Sequence, residues 1–153
     1  MHVSAIIAAG GRGARVGGER PKQFLPLGGR PILQRSVEAF LLHDRIAEVV
    51  VALPPDLVDD VPDYLKTGIK PVAIIDGGAR RQDSVANAFA LVASRADIVV
   101  IHDAARPLVS ADLIRRTLDA AVEHGAAIAA QPATDTVKRG DGDGVIVDTL
   151  PRG

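Results

Sequence analysis

Glycine and basic residues are concentrated between Ala8 and Gln23, directly after the apolar run Val3–Ile7. The stretch reads Ala8-Ala9-Gly10-Gly11-Arg12-Gly13-Ala14-Arg15-Val16-Gly17-Gly18-Glu19-Arg20-Pro21-Lys22-Gln23. Glycine allows backbone N–H groups to approach an anion closely, and the arginines and Lys22 supply positive charge. A buried strand that leads into a basic, glycine-rich loop is typical of a phosphate-binding site.

Two further polar segments also follow apolar runs. Asp76–Ser84 comes after Val72–Ile75, and His102–Pro107 comes after Ile98–Ile101. In open parallel α/β sheets, ligands bind beyond the carboxyl ends of the strands. We therefore expect all three polar segments to lie at the same edge of one sheet. This shared position is stronger evidence for a site than any one segment alone.

The spacing of the glycines argues against the common nucleotide-binding motifs. Counted from Gly11 and Gly13, the third glycine of a dinucleotide-binding G-x-G-x-x-G motif would fall on Val16. No acidic residue closes the second strand at the offset that a ribose contact requires. Neither a Walker-type G-K-[ST] nor a G-x-S-x-G nucleophile elbow occurs. The pattern therefore disfavours a dehydrogenase, a P-loop enzyme and a serine hydrolase.

Three side chains in these segments have both a structural and a functional interpretation. Asp103 stands close to Arg106, so it forms either an ion pair or a contact to a metal or ribose. Ser84 stands near a helix start, where it is expected to cap the helix, and backbone N–H groups at that start can also contact a base edge or phosphate. His102 is expected to be a buried histidine with a hydrogen-bond partner. No H-x-x-x-H pattern occurs, which argues against a histidine metal site.

Strands and helices alternate in the part of the chain that carries these segments. Apolar runs predict strands at Val3–Ala8, Val49–Leu53, Val72–Ile75, Ile98–Ile101 and Ala126–Ala130. Helical spacing predicts helices near 32–42 and 82–93, a third that Ser110 caps, and a weak helix through Tyr64. Repeated strand–helix–strand units imply an α/β fold, with a mostly parallel sheet and helices on both faces.

The end of the chain has a different pattern. Thr136–Lys138 and Val145–Leu150 flank Gly140-Asp141-Gly142-Asp143-Gly144, which predicts a β-hairpin. An isolated hairpin is marginally stable in water, so we expect it to lie on the domain or to pair with another subunit. A length of 153 residues suits one domain with a real core. We expect a single domain over residues 1–153, with a β-arm at 134–153.

Composition disfavours several classes of partner. A net charge of −1 gives no general attraction to nucleic acid, and three Phe and one Tyr offer no base-stacking platform. The absence of cysteine excludes disulfides, thiolate zinc sites and cysteine nucleophiles, and is compatible with a reducing compartment. The N-terminus lacks the basic segment of a signal peptide, and no apolar run has transmembrane length. We therefore expect a cytoplasmic protein without nucleic-acid or membrane partners.

Five segments together resemble the 2-C-methyl-D-erythritol 4-phosphate cytidylyltransferase family of the non-mevalonate isoprenoid pathway. They are Ala8-Ala9-Gly10 with Arg15 and Pro21-Lys22-Gln23-Phe24; Gly77-Gly78 with Arg81 and Ser84-Val85; His102–Pro107; Asp135–Lys138; and Thr149–Arg152. They follow the family's order over nearly the whole chain, so their combination is specific. The first loop has one glycine more than the family's A-A-G-x-G-x-R pattern. Arg12 and Arg15 are therefore alternatives for its arginine, and Arg15 is preferred because it precedes the variable stretch.

The resemblance implies a Rossmann-like fold of the nucleotidyltransferase or glycosyltransferase-A type, and an enzyme that transfers CMP from CTP to 2-C-methyl-D-erythritol 4-phosphate. It implies Arg15 and Lys22 as catalytic residues, and Mg²⁺ as the cofactor, with Asp103 as a candidate ligand. Implied substrate-positioning residues are Arg152, Thr136, Arg106 and Asp103. Implied nucleotide contacts are Ala8, Ala9, Gly10, Gly78, Ala79 and Ser84. A homodimer is also implied, in which the β-arm brings Arg152 to the partner subunit.

Three other functions stay open. A ribitol-5-phosphate cytidylyltransferase shares most of these loops. The family's chains continue past the position of Gly153, which predicts a C-terminally truncated chain and makes a nucleotide-binding fragment without catalysis an alternative. A dehydrogenase is the weakest alternative, because the spacing of the glycines fails.

Overall fold

The computed structural model describes residues 1–11, 21–66 and 68–151. Its strands, in chain order, are β1 (Val3–Ala8), β2 (Pro26–Leu27), β3 (Arg30–Pro31), β4 (Glu48–Leu53), β5 (Val72–Asp76), β6 (Ile98–Asp103), β7 (Lys138–Gly140) and β8 (Ile146–Thr149). Its α-helices are α1 (Ile32–Leu41), α2 (Arg81–Phe89) and α3 (Ala111–His124). Short 3-10 turns occupy Lys22–Phe24, Pro55–Leu57 and Asp63–Leu65. Within these ranges, no helix has the length and apolar character of a membrane span.

Four parallel strands form the central sheet, in the spatial order β5-β4-β1-β6. In the middle of the sheet, Ile6 of β1 is opposite Val50 of β4 on one side and Ile101 of β6 on the other. β1 and β4 are buried along almost their whole length. Strands that are covered on both faces need no polar alternation, which is why continuous apolar runs identified them. The predicted parallel α/β sheet is confirmed.

Helices cover both faces of this sheet, as predicted. Successive side chains of a strand point to opposite faces. Ile7 of β1 therefore packs in a core with Phe40 of α1 and Leu118 of α3, whereas Ile6 packs with Ala88 of α2. Fully burying a large apolar side chain stabilises a fold by roughly 1.5–3 kcal/mol, so these two cores hold the three helices on the sheet.

The two ends of α3 follow from local sequence. Ser110 Oγ accepts a hydrogen bond from Leu113 N–H at 3.1 Å, which caps the helix as predicted. Gly125 follows the helix with φ of 81°, a left-handed conformation that glycine adopts at little cost. A side-chain acceptor and a glycine therefore set the length of this helix.

Three predicted elements differ in the structure. Residues 126–130 are not a strand among the described residues, and Ile128 there is 88% exposed. The prediction was wrong because a strand needs a neighbour for its backbone groups, and an apolar run alone does not supply one. α2 ends at Phe89, before the predicted end. The segment that leads to Tyr64 forms 3-10 turns, because prolines at 54, 55 and 62 interrupt helical hydrogen bonding.

The predicted hairpin near the end of the chain is confirmed. β7 and β8 pair antiparallel, with an irregularity in register after Arg139. In the connecting turn, Asp141 Oδ1 accepts hydrogen bonds from Asp143 N–H at 3.0 Å and Val145 N–H at 2.8 Å. The exposed apolar side chains of the hairpin are those of Val145, Ile146 and Val147.

Candidate active site

A cavity of about 600 Å³ opens at the carboxyl ends of β1 and β6, beside the start of α2. Its lining residues are Ala8, Ala9, Gly10, Gly11, Lys22, Gln23, Gly78, Ala79, Arg80, Arg81, Ser84, Asp103, Ala104, Ala105 and Arg106. This volume is typical of small-molecule sites. The three polar segments of the sequence therefore meet at one edge of the sheet.

Most predicted site residues line this cavity. Those that do are Ala8, Ala9, Gly10, Lys22, Gly78, Ala79, Ser84, Asp103 and Arg106. Thr136 is exposed just before β7 and is not among the lining residues. Arg12, Arg15 and Arg152 lie outside the described residues. The chemical role of each of these residues stays a prediction.

A larger groove of about 820 Å³ follows the outer edge of β6. Its other walls come from α3 and from residues 125–129, and most of its side chains are apolar. We assign the site to the smaller cavity, because that cavity combines glycine backbone with several cationic side chains.

Backbone hydrogen bonds between neighbouring strands hold the three loops of the cavity at one level. Ala104 N–H, just after β6, donates to Ala8 O at 3.1 Å, and Gly77 N–H, just after β5, donates to Leu53 O at 2.6 Å. Ala9 N–H donates to Ala52 O at 2.9 Å. The sheet itself therefore fixes the loop after β1 between the loops after β5 and β6.

The loops after β1 and β5 touch backbone to backbone. A Cβ atom added to Gly10 would lie 2.8 Å from both Gly77 Cα and Ser84 Oγ. A Cβ atom added to Gly77 would lie 2.6 Å from Gly10 Cα. Such distances leave no room for a side chain. Glycine is required at both positions by this close approach, since neither residue has a positive φ.

Lys22 reaches the cavity from the 3-10 turn that follows Pro21. The next residue, Gln23, is only 3% exposed. Its Nε2 donates hydrogen bonds to Ala9 O and to Gly11 O, each at 2.7 Å. This amide connects the lysine turn to the loop after β1. No role for Gln23 was predictable from the sequence, because nothing in its local pattern indicates partners that far back in the chain.

Two side chains organise the start of α2. Asp83 accepts hydrogen bonds from Arg80 N–H at 3.1 Å and from the Arg80 guanidinium at 2.8 Å, which lowers the pKa of Asp83. Ser84 is 2% exposed, and its Oγ accepts a hydrogen bond from Gly78 N–H at 3.0 Å. Ser84 lies inside the helix, and Arg80 is the residue at the N-cap. The prediction that Ser84 caps the helix was therefore wrong. Its hydroxyl instead holds the glycine loop.

Asp103 lies between two arginines. Its Oδ1 accepts a hydrogen bond from Arg81 Nε at 2.7 Å, and its Oδ2 is 3.1 Å from Arg106 Nε. The side chains of Arg81 and Arg106 are 60% and 75% exposed, and ion pairs of this kind contribute little free energy. The predicted ion pair with Arg106 is therefore present, and it can exchange for a ligand. Arg81 is a cavity residue that the sequence analysis left out of the site.

His102 has a hydrogen-bond partner, as expected, but it is only partly buried and lies outside the core. Its ring packs against Phe40 with 4.9 Å between the ring centroids. Its Nε2 lies 3.0 Å from Arg106 O, and since a carbonyl oxygen only accepts, Nε2 carries the hydrogen. Burial lowers the pKa of His102, so the ring is neutral at neutral pH. The ring therefore supports the backbone of the loop that carries Asp103 and Arg106.

Positive charge predominates around the cavity. The cationic lining residues are Lys22, Arg80, Arg81 and Arg106, and Asp103 is the one acidic residue among the described lining residues. In the described part of the chain, no cluster of three His, Asp or Glu side chains could hold a metal ion by itself. Cations beside closely packed glycine backbone suit a ligand that carries several phosphates.

A parallel α/β sheet with basic, glycine-rich loops at its carboxyl edge is typical of nucleotide-binding proteins, and the comparisons place the chain in a family of nucleotidyltransferases. The chain belongs to the 2-C-methyl-D-erythritol 4-phosphate cytidylyltransferase family, whose model matches residues 3–153. The resemblance noted from the five sequence segments is therefore confirmed.

Curated relatives and solved structures agree with this assignment. The 2-C-methyl-D-erythritol 4-phosphate cytidylyltransferase of Symbiobacterium thermophilum is 44% identical over 98% of this chain and 63% of its own length. That of Frankia casuarinae is 44% identical over 98% of this chain and 56% of its own length. The crystal structure of the enzyme from Thermus thermophilus matches with a TM-score of 0.72 and 39% identity, over 99% of this chain and 64% of that chain. The chain thus spans less than two thirds of the length of these relatives.

Proposed function

We propose that this chain carries the cytidylyltransferase site of its family. In the proposed reaction, a phosphate oxygen of 2-C-methyl-D-erythritol 4-phosphate bonds to the α-phosphorus of CTP. The bond from the α-phosphorus to the bridging oxygen breaks, and pyrophosphate leaves with the electron pair. The observation that carries this proposal is that glycine backbone, the cations Lys22, Arg81 and Arg106, and Asp103 all line one cavity.

The proposed reaction needs no general base. The second pKa of a phosphate monoester is about 6, so the attacking phosphate is largely dianionic at neutral pH. The difficulty is the approach of one anion to another, together with the charge that develops on the α-phosphate and the leaving group. Positioning and fixed positive charge address both problems. Lys22, which lines the cavity, and Arg15 are proposed to supply this charge.

We propose that the cytidine lies against Ala8, Ala9, Gly10, Gly78, Ala79 and Ser84. Small side chains here leave room for a base and bring backbone groups to its edge. Ser84 holds Gly78 through the Gly78 N–H, so these two residues act as one unit. A change at Ser84 would therefore alter the shape of the loop as well as the hydroxyl.

Mg²⁺ fits this site only together with the nucleotide. Asp103 offers one carboxylate, and Mg²⁺ commonly takes one or two carboxylates plus substrate phosphate oxygens. Asp103 would exchange an exposed arginine contact for the ion, and CTP would supply the other ligands. When bound, Mg²⁺ offsets negative charge on the triphosphate. Arg81 and Arg106, once released from Asp103, stay at the cavity wall as anion contacts.

We propose that residues 1–153 act as one nucleotidyltransferase domain and that residues 134–153 form a dimerisation arm. The arm includes the hairpin β7–β8, whose apolar side chains are exposed. A lone two-stranded hairpin is marginally stable, so a partner surface would stabilise it. In such a dimer, Thr136 and Arg152 of one subunit would help to hold the sugar phosphate at the other.

Sedimentation tests the arm. The chain should be a dimer at micromolar concentration, and Ile146→Asp should shift it to monomer, because a charge would replace an apolar side chain that is 62% exposed. Leu42→Asp is the matched control, since Leu42 is 70% exposed at the end of α1. A monomeric wild type, or equal effects of both variants, would contradict the proposed arm.

Pyrophosphate release tests the reaction itself. With CTP and Mg²⁺, release should depend on 2-C-methyl-D-erythritol 4-phosphate and should be much slower with ribitol 5-phosphate. The reverse preference would favour the ribitol-5-phosphate cytidylyltransferase. Because the chain spans under two thirds of its relatives' length, a nucleotide-binding fragment is the second candidate. Calorimetric binding of CTP without turnover would favour that candidate.

A further inference from the structure

Gln23 is a polar side chain that is buried beside the cavity, where it is neither part of the apolar core nor in contact with solvent. Its side chain is almost fully buried at the edge of the cavity. Its amide nitrogen donates to Ala9 O and Gly11 O, the carbonyls on either side of Gly10. Both partners are carbonyl oxygens, which only accept, so the nitrogen and not the oxygen of the amide must face them. The two N–H donors of this amide therefore hold two carbonyl groups of the loop backbone.

This arrangement sets the direction of a backbone donor in the site. The C=O of Ala9 and the N–H of Gly10 belong to one planar trans peptide, so they point in opposite directions. When Gln23 holds the Ala9 oxygen, the Gly10 N–H must point away from Gln23. No described residue accepts a hydrogen bond from that N–H. Gly10 itself lines the cavity and cannot carry a side chain that would block it.

We propose that Gln23 is a positioning residue for nucleotide binding. It holds the carbonyls of Ala9 and Gly11 on its own side of the loop and thereby presents the Gly10 N–H to an acceptor atom of the nucleotide. If this peptide were reversed, its carbonyl oxygen would face the phosphate or base acceptor and repel that atom. The direction of the Ala9–Gly10 peptide therefore determines the affinity for the nucleotide. Gln23 also connects the loop to Lys22, its neighbour in sequence. This role rests on the proposed function, because it assumes that the cavity binds CTP.

The variant Gln23→Glu separates positioning from simple space filling. Glutamate has nearly the same shape, but its carboxyl group donates one hydrogen bond when protonated and none when ionised, so it cannot hold both carbonyls. CTP affinity, measured by calorimetry with Mg²⁺, should fall about tenfold or more, on the scale of losing a buried hydrogen bond. As the pH is lowered, the carboxyl group gains a proton and can donate one hydrogen bond. Part of the affinity should then return relative to wild type at the same pH.

The matched control is Gln82→Glu. Gln82 is exposed in α2 and is not a lining residue, yet it places the same negative charge near the same cavity. This variant should change CTP affinity by less than about threefold, as expected for an exposed charge, and should show no recovery on acidification. Equal losses in both variants would mean that charge alone weakens binding and would overturn the proposal. Wild-type affinity of Gln23→Glu at about pH 8 would overturn it as well.

Measurements on the wild-type chain keep the proposal testable if Gln23→Glu fails to fold. By NMR, the side-chain NH₂ protons of Gln23 should exchange slowly without nucleotide, and the Gly10 amide should shift and become protected when CTP binds. Fast exchange of the Gln23 protons, or CTP binding that leaves the Gly10 amide unchanged, would overturn the proposal. Failure of the wild type to bind CTP would instead reject the proposed function. The Gln23 exchange rates would still decide whether the amide holds the loop.

Discussion

The two ends of the central sheet bury polar groups in opposite ways. At the amino end, Ser4 of β1 lies opposite Glu48 of β4, and Ser4 Oγ donates to Glu48 Oε1 at 2.6 Å. Ala93 N–H donates to the same oxygen at 2.9 Å, and His2 Nε2 lies 3.8 Å from it. The carboxylate is thus surrounded by donors from the protein itself. Glu48 therefore needs no ligand, although His2 Nε2 is buried without a hydrogen-bond partner among the described residues.

At the carboxyl end, the buried polar side chains are neutral and hold backbone. Ser36 Oγ of α1 donates to Ala104 O at 2.7 Å, Gln23 holds the loop after β1, and Ser84 holds Gly78. The charged groups stand at the cavity surface instead. The polar groups at the amino end therefore serve the fold. Those at the carboxyl end arrange backbone, and the exposed arginines at the cavity can exchange their contacts with Asp83 and Asp103 for an anion.

The largest expected effect comes from removing a cation at the carboxyl end. Lys22→Ala should lower turnover by at least ~100-fold, the scale of losing one contact that stabilises charge in the transition state. The rate of pyrophosphate release measures this. Lys66→Ala is the control, because Lys66 is paired with Asp63 and is not a cavity residue. Near-wild-type turnover of Lys22→Ala would remove Lys22 from the proposed mechanism and weaken the contrast between the two ends.

A pair of glycine substitutions tests how tightly the loops at the carboxyl end are packed. Gly10→Ala should lower the free energy of unfolding by about 1–3 kcal/mol, because its Cβ meets the Gly77 backbone and a buried hydroxyl. Gly11→Ala should have little effect, since no atom of the described residues lies within 4 Å of its added Cβ. Urea denaturation of both variants gives the difference. Equal stabilities would show that the two loops separate easily and that the cavity is not preorganised by their contact.

The sequence predicted most strands of the fold and the position of the site, but it did not predict every element correctly. The buried strands of the sheet were predictable because apolar runs report burial on both faces. Residues 126–130 have a similar composition, but the predicted strand there was wrong. A run of apolar residues does not show whether a neighbouring strand is available to pair with it. The meeting of three polar loops followed from parallel topology, since the carboxyl ends of parallel strands share one edge.

The hydrogen bonds that hold these loops were not predictable in this way. Ser36 and its partner Ala104 are 68 residues apart, and Arg81 and Asp103 are 22 residues apart. No periodicity or motif spacing encodes such pairs, because they depend on how helices pack on the sheet. Gln23 stood in a segment that the family resemblance singled out, but its buried amide became apparent only with the backbone around it.

The smallest expected effect lies at the amino end and tests whether the two ends are independent. Burial raises the pKa of Glu48, but the hydrogen bonds from Ser4 and Ala93 and the nearby His2 and Arg95 more than offset this, so its pKa is lowered below 4.5. A carboxyl group whose pKa is lowered on folding stabilises the fold above its unfolded-state pKa. That contribution is lost as the pH falls from about 4.5 through the lower folded value. Glu48→Gln should therefore cost about 1 kcal/mol at neutral pH and flatten the acid limb of the stability curve.

Chemical denaturation at neutral and acidic pH measures the stability change, and calorimetry with CTP measures the site. Because Glu48 is satisfied within the amino end, its replacement should leave CTP affinity within about twofold of wild type, as expected when sites share no partners. The control is Glu38→Gln, whose partner Arg30 lies in a surface ion pair with a side chain that is 57% exposed. Its free energy of unfolding should stay within about 1 kcal/mol of wild type, as expected for a surface ion pair. If Glu48→Gln weakened CTP binding as strongly as Gln23→Glu, the sheet would couple its two ends and the division between structural and functional polarity would fail.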